Sequence, residues 1–556
     1  MNKVFNVGLV GCGHISETYF RAQEYFNNIK IIKCADLNNE AADNCAKEYG
    51  IESVSLDNIF KDKDIEIILN LTIPKAHYEV SEKALNSGKH SYSEKPLCIN
   101  FDDGKKLLEL AKKNNLYLGS APDTVLGAGI QKSKELIESG LIGKINLGNA
   151  IFAYPGVQSY HPSPEPWFAE KEGGPVIDMG PYYITALVTL LGPVKSVTSR
   201  SKKVFDEREI GIGSRKGKKF KVECDTTYVS TLEFHDNSLI QMTLSFDVKD
   251  HKRNHIELYG DKGSIIVTDP NMFGGSVFTC LELGGKWTEH ETHNLELGKI
   301  NIKSQSSRAN ESPTNANYRG AGLSEMAYSI ENNSEHMCNG ELSLHVLDII
   351  QSIMRSAKSK KTEVLSTKCK IPSRFTQEKI KSAITAAHEV GLRPKAFFMV
   401  GHMPDTRESI LETIRFAKSI PLHDITVQIN TLLPETPQLD IWNKEGHKWG
   451  RIVSSTKNEK SFWEPTFVPW GLESDDLIDL HRQFYREFYL RPAILKRHLE
   501  SIQNAEDVMK YVEAASLFTF LFFDLDPDEV TQQVKGKLPT SIRKPLSNLK
   551  RLLVRA

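Results

Sequence analysis

The chain has 556 residues, 40% hydrophobic and 25% charged, with a net charge of −1. That length predicts two or three domains, and the near-neutral charge removes the bulk attraction that nucleic acid or an anionic membrane would exploit. Its eight cysteines show no C-x-x-C spacing, which predicts a reducing, cytoplasmic setting without metal or disulfide framework, and no apolar run approaches the ~18 residues of a membrane span.

The chain opens "MNKVFNVGLVGCGHIS", a buried-strand pattern running into Gly11-x-Gly13-x-x-Ser16. No signal-peptide cleavage pattern precedes the strand. In such a turn the first glycine permits the bend, and the second lets backbone approach a pyrophosphate at a helix N-terminus. A helix is predicted over 16–27, then the apolar strand "IKIIKCADLN", which reaches Asp36. An acid at that distance suits a ribose 2′-hydroxyl, and with no arginine directly after it NAD is favoured over NADP. Strand patterns recur at 65–72, 89–97 and 115–121 with helices between them. The alternation predicts an α/β fold with a parallel, doubly wound sheet. Ligands bind at the carboxyl edge of such sheets, where the loops Thr72–Pro74 and Glu94–Pro96 would lie. Proline after Lys95 restricts the lysine to extended geometry and permits a cis bond. Either would hold an ammonium in place at that edge.

From about 145 the pattern changes. "INLGNAIFAYPG" begins a strand region, two alternating runs flank Asp236-Asn237, and "NHIELYGDKGSIIVTDP" reads as a hairpin. These predict an antiparallel sheet with one face packed and one free, the free face a candidate dimerisation surface. Between the first strand and the rest lies "GGPVIDMGPYYITALVTLLG", read as one apolar helix over 173–192. It carries Asp178 and Tyr182 four residues apart, hence on one face.

In order, "GLVGCGHIS", "CADLN", "ILNLTIPKAHYEV", "GKHSYSEKPL", "GLIGKI" and "GGPVIDMGPYY" resemble the glucose–fructose oxidoreductase / inositol dehydrogenase / MocA (Gfo/Idh/MocA) oxidoreductases over residues 1–373. The resemblance implies a Rossmann domain at 1–125 binding NAD(P). It also implies an α+β substrate domain at 126–373, whose open sheet would make homo-oligomers. Dinucleotide contacts are expected from Gly11, Gly13, His14, Ile15, Asp36, Thr72, Pro74, His77 and Glu94, with Lys95 near nicotinamide and substrate. Many members carry a histidine in Asp-x-Gly-x-His; here Tyr182 stands in its place, as in glucose–fructose oxidoreductase. The implied function is a dehydrogenase passing a hydride between nicotinamide and a CH–OH carbon of a sugar or polyol. Tyr182 would carry the proton, Lys95 polarise and Asp178 orient, and a nearby ammonium favours tyrosinate. The loop 154–168, proline-rich and aromatic, offers Tyr160, His161 and Trp167 as substrate contacts. A catalytically silent NAD-binding scaffold is the alternative.

Residues 374–499 depart from that family. Their helix–strand–helix–strand pattern resembles the C-terminal half of a radical SAM barrel of the type often preceded by a cobalamin domain. That chemistry needs C-x-x-x-C-x-x-C, and only Cys369 lies nearby. No iron–sulfur cluster is therefore expected, and a degenerate radical SAM-type enzyme is the second alternative. Half a barrel would leave strand edges unpaired. "SLFTFLFF" (516–523) reads as buried helix, and 500–556 as a basic helical tail, an exposed amphipathic helix rather than a membrane anchor.

Overall fold

A computed structural model describes residues 3–169, 173–301, 316–372 and, within 377–494, all but 404, 433–437, 440–441, 444–447 and 454–464. The tail at 500–556 and the run at 516–523 lie outside the described residues. The chain divides into two compact units, Met1–Pro372 and Ser373–Ala556.

The first unit begins with strictly alternating elements: β1 (Phe5–Val10), α1 (Ser16–Ala22), β2 (Ile29–Ala35), α2 (Asn39–Tyr49), β3 (Glu52–Ser53), α3 (Leu56–Lys61), β4 (Ile67–Asn70), α4 (His77–Asn86), β5 (His90–Ser93), α5 (Phe101–Lys113) and β6 (Leu118–Ser120). The strands form one sheet in the order β3-β2-β1-β4-β5-β6, every pair parallel. All of β4 and nearly all of β1 are buried, as expected where helices cover both faces of a sheet. The order reverses between β1 and β4, and at such a switch point the carboxyl ends of strands leave a crevice for a ligand. Side chains set the helix starts: Asn38 caps α2 by accepting from the N–H groups of Glu40 and Ala41, satisfying donors that have no intrahelical partner.

The chain continues through α6 (Ala128–Glu138), β7 (Ile145–Ala153), α7 (Pro175–Asp178), α8 (Gly180–Leu191), β8 (Val194–Lys202), β9 (Glu207–Glu209), β10 (Lys219–Lys221), β11 (Thr227–Phe234), β12 (Leu239–Ser245), β13 (Ile256–Gly260), β14 (Ser264–Val267), β15 (Val277–Cys280), β16 (Thr288–His290), α9 (Ala321–Asn332), α10 (Gly340–Ser359) and β17 (Glu363–Val364). Nine of these strands make one sheet, ordered β16-β15-β14-β13-β7-β12-β11-β8-β17. The antiparallel expectation holds for every pair but one: β7 and β12 run parallel, so the sheet is mixed. Parallel neighbours need a long crossover rather than a hairpin, and the path from β7 through α7, α8, β8 and β11 supplies it. The expected Asp236-Asn237 turn joins β11 to β12, with Asn237 at φ +69° and the Ser238 N–H donating to Asp236 Oδ1 at 2.9 Å. Burial alternates along β11, and the outer face exposes Leu147, Val229 and Leu239.

The single helix expected over 173–192 is instead two, α7 and α8, separated at Met179. Pro181 explains the break. It has no N–H to give the carbonyl four residues back, and its ring would clash there. α10 returns to the parallel sheet's helices, where Gln351 Nε2 donates to the Ile99 carbonyl at 2.8 Å.

The second unit comprises α11 (Gln377–Glu389), β18 (Lys395–Val400), α12 (Arg407–Ser419), β19 (Asp424–Ile429), β20 (Gly450–Ile452), β21 (Phe467–Pro469) and α13 (Ser474–Tyr489). β18 and β19 pair in parallel around a core that includes Val400, Ile414, Val427, Leu480 and Phe484. The predicted bare edge of β19 is closed by helix side chains. Val427 N–H donates to the Tyr485 hydroxyl at 2.9 Å and Ile425 N–H to the Tyr489 hydroxyl at 3.2 Å. His481 Nε2 lies 3.0 Å from the Val427 carbonyl. One face of α13 therefore does for two N–H groups of β19 what a neighbouring strand would do.

Candidate active site

The glycine turn after β1 contains two glycines with opposite surroundings. Gly11 has φ +101°, and a Cβ there would lie 2.7 Å from the Leu71 carbonyl. Only glycine fits so close to the end of β4. A Cβ on Gly13 would meet nothing within 4 Å, so open space adjoins the backbone where a pyrophosphate would approach. His14 is exposed and Ile15 half-buried beside that space. Asp36, just past β2, accepts from the Cys12 N–H at 2.7 Å and the Asn38 N–H at 2.8 Å, which holds its carboxylate against the turn. A tight bend, an open cradle and an acid on the second strand fit a dinucleotide. Gly13→Val is accordingly expected to fold normally and to weaken NADH binding by ~100-fold, about 2.7 kcal/mol. Gly11→Ala should instead cost at least about 2 kcal/mol of stability, through positive φ and the clash with Leu71. Fluorescence titration with NADH and denaturant melts separate the two effects.

The next two loops at the sheet edge are tied from within. Thr72 Oγ1 donates to Asn70 Oδ1 at 2.6 Å, and Pro74 starts a 3-10 turn that runs to Ala76. His77 is completely buried. Its Nδ1 lies 2.6 Å from the Pro96 carbonyl and its Nε2 3.0 Å from the Thr72 carbonyl. Burial pushes its pKa down, against the pull of those two carbonyls, so the ring is neutral. The His77 side chain therefore ties the two loops together. Glu94 is tied in likewise. It too is buried, accepting from the Tyr19 hydroxyl at 3.0 Å and the Lys95 N–H at 3.0 Å.

Lys95 and Asp178 meet across the first unit. The Lys95–Pro96 peptide is cis. Lys95 Nζ donates to the Asp178 carbonyl at 2.7 Å and to Asp178 Oδ1 at 2.9 Å. Burial alone would push the Lys95 pKa down, but the charges of Asp178, Tyr182 and Glu94 outweigh it and raise it overall. The group is an ammonium at any working pH. Tyr182, 5% exposed, lies between two cations: Lys95 Nζ is 5.1 Å from its ring centre and the Arg319 guanidinium 5.6 Å. Arg319 Nη1 donates to the Tyr182 hydroxyl at 3.2 Å, and Nη2 to Asn271 Oδ1 at 3.1 Å. Behind Arg319, the fully buried Asp123 accepts from the N–H groups of Gly320 and Gly322. Burial pushes the Asp123 carboxyl up to about 6, while Arg319 and those two N–H groups pull it down.

The loop 154–168 borders this cluster. Tyr160 is 44% exposed, and its hydroxyl accepts from that of Tyr154 at 3.2 Å. Burial and then the Asp178 charge raise the Tyr160 pKa, while Lys95 lowers it. Burial and the His14 charge both lower the pKa of His161. Trp167, half-buried, lies tilted against His161 with ring centres 5.0 Å apart and packs against the cluster of Val157, Phe168 and Phe246.

Two residues of the site and one cluster of thiols were not read from the sequence. Arg319 and Tyr182 are 137 residues apart, and no local pattern marks an arginine for that encounter. Tyr154 lies inside the aromatic loop but gave no signal distinguishing it from its neighbours. Cys12, Cys34 and Cys45 share no metal-like spacing, yet their sulfurs lie within 4.8 Å of one another.

The first unit thus joins a parallel, doubly wound sheet to a mixed nine-stranded sheet, with the clustered side chains at the edge of the first. Residues 5–121 match the family model described as oxidoreductase family, NAD-binding Rossmann fold, and residues 130–266 match the GFO/IDH/MocA C-terminal domain. Over these two stretches the first unit is similar to the Gfo/Idh/MocA oxidoreductases. Among curated relatives, an uncharacterized oxidoreductase of Schizosaccharomyces pombe is 32% identical over 26% of this chain and 39% of its own length. The chain thus spans well under half of that relative. D-glucoside 3-dehydrogenase of Escherichia coli is 24% identical over 50% of this chain and 81% of its own. A levoglucosan dehydrogenase solved with NADH and levoglucosan shares the fold, with TM-score 0.55 and 19% identity over 66% of this chain and 100% of that one. No described helix is long and apolar enough to cross a membrane.

Proposed function

We propose that the first unit is an NAD(P)-dependent dehydrogenase acting on a CH–OH group of a sugar or polyol, with NAD preferred. The observation that carries this reading is the meeting of Lys95, Asp178 and Tyr182 at the carboxyl edge of the parallel sheet, where the glycine turn leaves its cradle open. An exposed leucine, Leu37, rather than a cation follows Asp36, which favours NAD. A nicotinamide bound there would take up or supply the hydride. Tyr182 moves the hydroxyl proton. Arg319, donating to the phenol oxygen, and Lys95, over its ring, hold the side chain in place for that transfer. Two of the three Lys95 N–H donors are engaged on Asp178, and the third is left to polarise the substrate oxygen. Asp178 fixes the direction of that ammonium. Tyr160 and Tyr154 offer hydroxyls and ring faces to a polyol at the entrance. Leu239 and Leu147, exposed register partners on the open sheet, support pairing of two copies through that face. The second unit carries a resemblance to a radical SAM half barrel but no cluster triplet, and we assign it no redox step.

The test is nicotinamide absorbance of the purified chain with NAD or NADP against sugars, inositols and glycosides, repeated on a chain ended after Pro372. Because the second unit has its own core, turnover is expected in both forms. NADH binding without turnover on any compound, in both forms, would favour the silent scaffold instead. Arg319→Met sharpens the reading. Losing the donor that holds the phenol oxygen should lower kcat by about tenfold with NADH affinity unchanged. An unmoved kcat removes Arg319 from the placement of the phenol.

A further inference from the structure

The three thiols under the glycine turn come from separate elements: Cys12 from the turn itself, Cys34 from β2 and Cys45 from α2. Their sulfurs all lie within 4.8 Å of one another. Metal–thiolate bonds of about 2.3 Å place three sulfurs roughly 3.8–4.0 Å apart in tetrahedral or trigonal geometry, so the trio needs little movement to converge on one ion. The five other cysteines form no such group among the described residues. Cys34 and Cys45 are buried, and half-buried Cys12 gives the route in. No histidine or carboxylate joins the set among the described residues. An all-sulfur, low-coordinate site of this kind selects thiophilic d10 ions over hard cations.

We propose that Cys12, Cys34 and Cys45 bind one thiophilic d10 metal ion, of the zinc(II) or copper(I) type, and that occupancy weakens dinucleotide binding. Binding forms up to three metal–sulfur bonds and releases the corresponding thiol protons to solvent. The link to the cofactor is short. The Cys12 backbone N–H donates to Asp36 at 2.7 Å, so drawing Cys12 Sγ onto an ion shifts both the glycine turn and the acid meant for the ribose. That coupling rests on the dinucleotide reading of the turn; the metal site does not.

The experiment uses the reduced, metal-stripped full chain. Cadmium(II) alone is titrated while thiolate-to-metal charge-transfer absorbance is recorded, and zinc(II) affinity is read by competition with a chromophoric chelator. One ion per chain is expected. Either Cys34→Ala or Cys45→Ala should weaken binding ~100-fold and Cys98→Ala should leave it unchanged. Circular dichroism and melts identify which variants are folded, and Cys45→Ala on α2 serves if Cys34→Ala is not. Absence of the charge-transfer band, or undiminished binding in both folded variants, overturns the site. With zinc(II) bound, NADH affinity should fall about tenfold in the unaltered chain and not in Cys45→Ala. Equal affinity with and without zinc overturns the coupling. Failure of the metal-free chain to bind NADH at all overturns the cofactor reading instead, and the cadmium titration still decides the thiol site.

Discussion

Tyr182→Phe is expected to lower kcat for alcohol oxidation by about 10³-fold, the scale of a lost proton carrier, while NADH affinity stays within about twofold. The substitution removes one oxygen and keeps the ring. That ring is 5% exposed and lies between Lys95 and Arg319, so packing and both cation–ring contacts survive. Arg319 loses the hydroxyl as acceptor but keeps Asn271. Stability should therefore change by less than about 1.5 kcal/mol, the net worth of one hydrogen bond. Steady-state kinetics, an NADH titration and a denaturant melt give the three numbers. Turnover preserved within tenfold would remove Tyr182 from proton transfer and leave it as packing.

Lys95→Met should abolish measurable turnover, a loss above ~10³-fold, and also destabilise the chain. The two effects have separate causes. The lysine and aspartate side chains are 16% and 15% exposed. Removing the ammonium leaves the Asp178 carboxylate poorly solvated, at a cost of about 2 kcal/mol, below the 3–5 for a fully buried pair because water still reaches it. Lys95→Met/Asp178→Asn removes the stranded charge as well. The double variant should recover about half of the lost stability and none of the activity. Recovery of activity in the double variant would show that the pair is structural and that the polarising group lies elsewhere.

Much of the first unit is legible locally. The glycine turn, Asp36, the Lys95–Pro96 pair and the Asp178–Tyr182 spacing are short patterns. Turn geometry, strand burial and helical period act over a few residues, so they leave a mark at that range. The 3-2-1-4-5-6 sheet follows from strict alternation, because right-handed parallel crossovers admit few other arrangements. His77 and Glu94 lie in the expected loops, but whether a side chain faces inward or outward at a strand end depends on neighbours from other elements. The parallel pairing of β7 with β12 and the break at Met179 show two kinds of miss. The first depends on a crossover some 85 residues long, while the second was written in Gly180-Pro181 and under-read.

By itself the sequence determined the parallel α/β class of the first domain, its glycine turn, the Lys95–Pro96 pair and the apolar stretch bearing Asp178 and Tyr182, because each rests on the conformational limits of a few adjacent residues. Tertiary structure alone decided that Arg319 meets Tyr182, that tyrosines of α13 close the edge of β19, and that three cysteines of unremarkable spacing share one pocket of sulfur. Those encounters join residues from separate elements, and chain closure over such distances is governed by how whole sheets and helices pack, which no local pattern encodes.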